Sequence, residues 1–226
     1  MAKLSEIQSD RLALESKIKE LAARPKTYIQ GETCVRFYDQ VLSKQECTSI
    51  INLFEDSKKI DSFNTGHKEF TELDIDNLPV QDKNKWTDIR EKFISIMREH
   101  MDKFMQDVKI EKHHFPPIID MENIRIKKYT SNEKDQFANH VDVVRSLGPS
   151  SKRFLVFILY LSDVEEGGET YIPRFDIKCK PKAGRLLIFP PFWTHPHSGE
   201  KVIKGTKYTI MSYLHYGDTI GRIQEG

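Results

Sequence analysis

Residues 136–142 read Gln-Phe-Ala-Asn-His-Val-Asp and place a histidine and an aspartate two positions apart, at His140 and Asp142. Side chains at positions i and i+2 of a β-strand point to the same face, so these two groups can bind one ion. A third ligand would come from a second strand, and the downstream segment Thr-His-Pro-His offers His195 and His197. Two imidazoles and one carboxylate form the facial triad that holds non-haem Fe(II). The pattern therefore predicts a metal site on a β-scaffold.

The composition is typical of a globular protein and excludes several classes of partner. Of the 226 residues, 38% are hydrophobic and 31% are charged, and the net charge of +1 gives no electrostatic reason to bind nucleic acid or a membrane surface. No apolar run approaches the ~20 residues of a membrane span, and the charged N-terminus lacks the apolar core of a secretory signal. Three cysteines cannot all pair internally, which favours a reducing compartment. We therefore expect a cytoplasmic protein.

The first 25 residues are predicted to form a separate element. Leu4, Ile7, Leu14, Ile18 and Leu21 follow a heptad-like spacing that predicts a helix over residues 3–23. We expect this amphipathic helix to pack on the main domain. The alternative is a short coiled-coil contact in a homodimer.

Residues 26–226 are predicted to form the main domain, with helices up to about residue 110 and a β-core over about 118–216. Ser43 and Glu46 form a capping box that begins one helix, and a second helix follows from Thr87. Helices followed by strands predict an α+β fold with a closed or double-sheet β-unit. The polar segment 56–85 is predicted to be a long loop that can include a short strand. The predicted strands span 122–130, 136–142, 153–162, 169–173, 175–180, 184–190, 194–198 and 206–215.

An ordered series of motifs surrounds the candidate metal ligands. In chain order it consists of Tyr129, His140-Val-Asp142, Tyr160-Leu-Ser-Asp163, Gly167-Gly168, Pro181-Lys-Ala-Gly184, His197, Gly205 and Lys207. Over about residues 120–215 this series resembles the prolyl 4-hydroxylase family of 2-oxoglutarate- and Fe(II)-dependent dioxygenases. The resemblance implies a double-stranded β-helix, which is a cupin-like jelly roll. It also implies Fe(2+), 2-oxoglutarate and O2 as cofactor and cosubstrates, with ascorbate as a further candidate.

The resemblance also assigns roles to individual residues. It implies that His140, Asp142 and His197 bind the metal, because the family places a basic residue ten positions beyond its second histidine and Lys207 lies ten beyond His197. His195, twelve positions before Lys207, is then expected either to support the metal ligands from behind or to lie at the rim of the pocket.

Further residues are expected to bind the cosubstrate or to face the substrate. Lys207 would bind the C5 carboxylate of 2-oxoglutarate, assisted by Tyr129 and Tyr160. Arg153 and Tyr213 would line the substrate side, and the tyrosine stands where relatives often carry a tryptophan.

The function implied by the resemblance is hydroxylation of a prolyl residue in a protein or peptide, with succinate and CO2 as coproducts. One alternative keeps the reaction but changes the substrate to a free amino acid, another side chain or a nucleobase. Another is a non-catalytic, cupin-like binding module. Residues 56–85 and 143–152 flank the predicted site and are candidates for lids over the substrate.

Overall fold

Strands dominate the structure from its first described residues to its last. The computed structural model describes residues 33–58, 60–64, 69–117, 119–131, 136–144 and 147–217. The helices are α1 (Lys44–Glu55), α2 (Val80–Lys83) and α3 (Thr87–Asp107). The strands are β1 (Arg36–Tyr38), β2 (Asp61–Asn64), β3 (Glu69–Asp74), β4 (Ile119–Met121), β5 (Arg125–Thr130), β6 (Phe137–His140), β7 (Arg153–Tyr160), β8 (Glu166–Gly167), β9 (Thr170–Ile172), β10 (Ile177–Cys179), β11 (Arg185–Phe189), β12 (His197–Gly199), β13 (Val202–Lys204) and β14 (Thr206–Tyr216).

The strands form two main antiparallel sheets. The larger sheet has eight strands in the order β1-β11-β7-β14-β5-β3-β2, and β4 pairs with β14 beside this path. The smaller sheet has the order β10-β9-β12-β6, and β8 pairs with β13 in a separate ribbon. Both sheets contribute side chains to one cavity of about 490 Å³. This architecture confirms the predicted double-stranded β-helix with supporting helices.

The helices cover the face of the larger sheet that points away from the cavity. The predicted capping box is present at the start of α1, where the Ser43 hydroxyl accepts from the Glu46 backbone N–H and the Glu46 carboxylate accepts in return. Phe54 of α1 and Phe93 of α3 are buried in one cluster with Ile210 of β14 and other sheet residues. Burial of each such side chain stabilises the fold by about 1.5–3 kcal/mol.

Strand alternation divides the larger sheet into a helix-facing side and a cavity-facing side. On β14, Ile210 packs into the helix-side cluster, whereas its neighbours Thr209 and Met211 line the cavity. On β5, Lys128 bonds Glu55 of α1 on the helix side. A single strand thus supplies both the core and the site.

Each predicted strand after residue 118 overlaps an observed strand, although the one predicted over residues 194–198 begins only at His197. Over residues 56–85 the sequence predicts a long loop that can include a short strand, and the structure contains more strand than that. β2 and β3 form a hairpin within that segment, and β3 extends the larger sheet by pairing with β5. The β-core therefore does not begin at residue 118, because β1, β2 and β3 precede it. The predicted helix over residues 3–23 lies outside the described residues, so the division at residue 25 stays a prediction. No helix among the described residues combines the length and apolar character needed to cross a membrane.

Candidate functional site

The predicted metal ligands meet on the smaller sheet. His140 of β6 and His197 of β12 are directly opposite each other in the strand pairing, and Asp142 follows β6. One donor atom from each of the three residues can be chosen so that all lie within 4.8 Å of one another. The Asp142 carboxylate oxygens lie 3.2 Å from His140 Nε2 and 3.5 Å from His197 Nε2. We call these three residues the triad.

Backbone carbonyls orient both imidazoles of the triad. His140 Nδ1 lies 2.8 Å from the Ala138 carbonyl oxygen, and His197 Nδ1 lies 3.0 Å from the His195 carbonyl oxygen. Since a carbonyl only accepts, Nδ1 must be the protonated nitrogen, and the lone pair of each neutral ring is on Nε2. Both Nε2 atoms face Asp142, which is the arrangement that a metal shared by the three residues requires.

The triad has the charge and the unmet bonding capacity of a cation site. Burial lowers the pKa of His197, so its imidazole is neutral and able to bind metal at neutral pH. Burial raises the pKa of Asp142, but its interactions with His140 and His197 outweigh burial and lower it to about 2. Its Oδ2 atom is buried and has no hydrogen-bond partner among the described residues. Two imidazoles and an ionised carboxylate with a free oxygen fit Fe(II).

A buried lysine lies at the other end of the cavity, where Lys207 is 3% exposed. Its ammonium donates to the Gly168 carbonyl oxygen at 3.0 Å and lies 4.3 Å from the centre of the Tyr129 ring, the residue directly opposite on β5. Burial lowers the pKa of Lys207 to about 8. Gly168 lies in the predicted Gly-Gly turn, and at Gly167, with φ +76°, an added Cβ would collide with the Lys201 carbonyl oxygen.

Tyr160 lines the same cavity and is fully buried. Its hydroxyl donates to Thr170 Oγ1 at 2.6 Å, and burial raises the pKa of the phenol well above its ordinary value. The phenol therefore stays protonated at physiological pH. We call Lys207, Tyr129, Tyr160 and Thr170 the lysine end of the cavity. The structure thus brings together three residues predicted separately from their spacing.

Arg153 and Tyr213 also line the cavity, beside Asp142. The Arg153 guanidinium donates to both carboxylate oxygens of Glu122, at 2.6 and 2.8 Å, and lies 3.9 Å from the centre of the Tyr213 ring. Burial, followed by the nearby Asp142 carboxylate, raises the pKa of Tyr213. These contacts fix both side chains against the triad.

The structure places the His195 side chain away from the rim of the pocket, which was one of its two expected positions. Its ring packs against Phe175 at 5.0 Å between centroids and is absent from the lining of the cavity. Residues 192–196 form turns and bends, and β12 begins only at His197, so the i, i+2 rule of a strand does not apply here. His195 contributes to the triad through its carbonyl oxygen instead.

Several cavity residues were not predicted. On β5, Arg125 and Lys127 line the cavity together with Tyr129, and the alternation of this strand is the signal that would have identified them. Their partners Glu72 and Asp74 lie on β3, inside the segment predicted to be a loop. Phe137, whose ring stacks on His140 at 3.8 Å between centroids, was also not predicted to line the cavity.

Comparison with known proteins assigns part of the chain to a superfamily. Residues 124–215 match the sequence model of the 2OG-Fe(II) oxygenase superfamily. The chain is 24% identical to "Probable prolyl 4-hydroxylase 4" of Arabidopsis thaliana, over 92% of this chain and 73% of that protein. It is 33% identical to "Probable prolyl 4-hydroxylase 9" of the same plant over a shorter stretch, 41% of this chain and 40% of that protein.

Solved structures share the fold. The 2OG complex of a viral collagen prolyl hydroxylase from Paramecium Bursaria Chlorella virus-1 superposes with a TM-score of 0.58, at 20% identity, over 84% of this chain and all of that chain. A prolyl hydroxylase from Trichoplax adhaerens, solved with a hypoxia inducible factor peptide, gives a TM-score of 0.57 at 12% identity, over 83% of this chain and 84% of that chain. Residues 124–215 therefore form a 2OG-Fe(II) oxygenase domain, and the chain resembles prolyl 4-hydroxylases in sequence and in fold.

Proposed function

We propose that this protein hydroxylates a prolyl residue in a protein or peptide, using Fe(II), 2-oxoglutarate and O2 and releasing succinate and CO2. One observation carries the proposal: a metal-ligand triad and a buried lysine lie at opposite ends of a single cavity of about 490 Å³. Bound Fe(II), together with 2-oxoglutarate and O2, supplies an oxidant able to hydroxylate a C–H bond. The protein supplies ligands, orientation and shielding from water.

His140, Asp142 and His197 would hold the iron. The orphaned Oδ2 of Asp142 supports this role, since a buried carboxylate oxygen without a partner is costly unless a cation binds it.

Lys207 would hold the C5 carboxylate of 2-oxoglutarate. Among the described residues, the buried Lys207 ammonium makes one hydrogen bond, to a carbonyl oxygen. A bound anion beside it would stabilise its charge. Tyr129, in contact with Lys207, would order the same carboxylate, and Tyr160 would close the end of the cavity behind it.

A polypeptide substrate is supported by the relatives named as prolyl 4-hydroxylases and by the surface beside the triad. Three large apolar side chains are strongly exposed in the segments that adjoin the metal ligands: Val144 and Leu147 after Asp142, and Trp193 before His197. Exposed apolar groups beside an active site are typical of a surface that binds another chain. Arg153 and Tyr213 would then contact the target residue at the triad.

The test is a peptide hydroxylation assay. The protein is incubated with Fe(II), 2-oxoglutarate and a library of proline-containing peptides, with Asp142→Ala as the matched control. We expect succinate release coupled to a gain of one oxygen atom on proline, localised by fragmentation, and neither product with Asp142→Ala. Coupled turnover confined to free amino acids, to other side chains or to nucleobases would contradict the substrate, and an inert wild-type protein would contradict the reaction.

Three narrower proposals accompany this function. Ascorbate would sustain repeated turnover by keeping the iron reduced, which a time course with and without ascorbate measures. The protein would act in the cytoplasm, in keeping with three free cysteines, and imaging of the tagged full chain tests this location. The segment over residues 3–23 would support a homodimer, and light scattering of the full chain should show the loss of any dimer in Leu14→Glu.

A further inference from the structure

Lys127 is a second buried lysine in the cavity. It lies on β5, two residues before Tyr129, and its side chain is 11% exposed. Lysine is rarely buried without a specific partner, because removing its charge from water is costly. The proposed function uses Lys207 to bind the C5 carboxylate of 2-oxoglutarate and assigns no role to Lys127.

The strand register places Lys127 between the lysine end and the triad. Lys207 pairs with Tyr129, and the next cavity-facing row joins Glu72, Lys127, Thr209 and Tyr160 across four neighbouring strands. The triad lies further along β14, where Asp142 is beside Tyr213. A 2-oxoglutarate that extends from Lys207 to the triad, as in the proposed function on which this inference rests, therefore passes the row that contains Lys127.

The surroundings of Lys127 fix its side-chain nitrogen at that position, while burial lowers the pKa of this lysine. Its Nζ atom lies 3.3 Å from Glu72 Oε2 and 4.4 Å from the centre of the Phe70 ring. The Phe137 ring, which stacks on His140, lies 5.8 Å from the same atom. Aromatic faces favour a cation over neutral amine. Glu72 also lies 3.6 Å from Arg125, so the same carboxylate contacts both Arg125 and Lys127.

We propose that Lys127 contacts bound 2-oxoglutarate as a second cation, and that Glu72 is the positioning residue that holds its ammonium against the cosubstrate. The cosubstrate is a dianion whose C5 carboxylate would lie beside Lys207. Lys127, one cavity-facing row away on the same wall, adds a second positive charge next to that carboxylate. Arginine at this position would preserve the charge, whereas methionine would keep the stem and remove it.

Direct binding tests the proposal without turnover. 2-Oxoglutarate is titrated calorimetrically, without O2, into full-length protein loaded with Mn(II). We expect Lys127→Met to weaken the Kd about tenfold, at the low end of the effect of losing a charged hydrogen bond. Lys127→Arg should restore most of the affinity, and Glu72→Gln should weaken it less than Lys127→Met. Lys128→Met is the matched control, since Lys128 is the next residue but bonds Glu55 on the helix side, and it should bind as the wild type does.

Steady-state kinetics locate the effect. The KM for 2-oxoglutarate should rise in Lys127→Met while the KM for the peptide stays the same. Binding within twofold of wild type, or a rise confined to the KM for the peptide, would overturn the inference. Should Lys127→Met fail to fold, Glu72→Gln decides: weaker binding supports the role and unchanged binding refutes it. Wild-type protein that does not bind 2-oxoglutarate would instead overturn the proposed function and, with it, this inference.

Discussion

The two ends of the cavity are ordered by different parts of the chain. At the triad, each imidazole is oriented by the carbonyl two residues before it, Ala138 for His140 and His195 for His197. At the lysine end, Lys207 is placed by contacts that are distant in sequence, namely the Gly168 carbonyl 39 positions away and the facing Tyr129 ring. Each imidazole of the triad is thus oriented by its own segment of the chain, whereas the position of Lys207 depends on the assembly of the larger sheet.

This difference separates two losses of function that an activity assay alone would not distinguish. A change at the triad should remove the metal and leave the cosubstrate pocket intact, because no contact of Lys207 described above involves a triad residue. A change at the lysine end should leave the metal bound. The predictions below test this independence, from the largest expected effect to the smallest.

Asp142→Ala should have the largest effect. It removes the only carboxylate of the triad, so we expect bound iron to fall to background and turnover to fall by at least about a hundredfold, the loss typical of removing even a group that only supports a ligand. Metal analysis and succinate release measure the two effects. The metal-free variant should be less stable than metal-free wild type by about 1–3 kcal/mol, since it loses a buried carboxylate whose oxygens lie 3.2 and 3.5 Å from the two imidazoles. An unchanged metal-free stability would show that this carboxylate serves only the metal.

Lys207→Met should have the next largest effect. Loss of a charged hydrogen bond costs about 1.5–3 kcal/mol, so the Kd for 2-oxoglutarate should rise roughly 10–150-fold. Iron content should not change. Lys201→Met is the control, because Lys201 is exposed in the same part of the chain. Loss of iron in Lys207→Met would break the comparison, since it would mean that the two ends are not independent.

The affinity for 2-oxoglutarate should also depend on pH through Lys207. Burial lowers the pKa of this lysine from 10.5 to about 8 in the free protein. As the pH rises through 8 the ammonium is lost, so affinity should be level below pH 8 and fall by up to about tenfold per unit above it. Lys207→Met should lack this fall. Calorimetric Kd values between pH 6.5 and 9.5 measure it, and an equal fall in the variant would assign the effect to another group.

The sign is opposite for the stability of the ligand-free fold. Lys207 has a lower pKa in the folded state than the 10.5 of an exposed lysine, so between pH 8 and 10.5 the unfolded chain binds more protons. The contribution of Lys207 to the free energy of unfolding is therefore unfavourable below pH 8 and is relieved as the pH rises to 10.5. Binding and stability should thus respond to pH in opposite directions.

Local organisation also explains why the triad could be predicted from the sequence and much of the cavity wall could not. The H-x-D pair is recognised by its spacing alone, although Asp142 lies just beyond β6, and each of the eight predicted strands after residue 118 overlaps an observed strand. Lys207 and Tyr129 were predicted one by one from motif spacing, but their pairing across β5 and β14 appears only in the folded sheet.

Strand β3 of the cavity wall shows, in physical terms, why part of the site could not be predicted from the sequence. Segment 69–74 carries Glu72 and Asp74 on its cavity face, so it lacks the apolar face by which a strand is recognised. Those carboxylates are stable there because Arg125 and Lys127 lie opposite on β5. A strand with charged residues on its cavity face has the sequence pattern of a loop. It can be recognised as a strand only when the partner strand that carries the opposite charges is known.

His195→Leu should have the smallest effect and is the sharpest test of local organisation. The His195 ring faces Phe175 and its Nε2 atom is buried without a hydrogen-bond partner among the described residues, so its removal takes away no bond to the triad. The carbonyl that orients His197 is backbone and stays. We expect unchanged iron content and kcat/KM within about threefold of wild type, with a change in unfolding free energy of about 1 kcal/mol or less. His197→Leu, two residues away, should lose the metal. If His195→Leu lost the metal as well, its ring would be a ligand, and the triad would not owe its order to the neighbouring backbone.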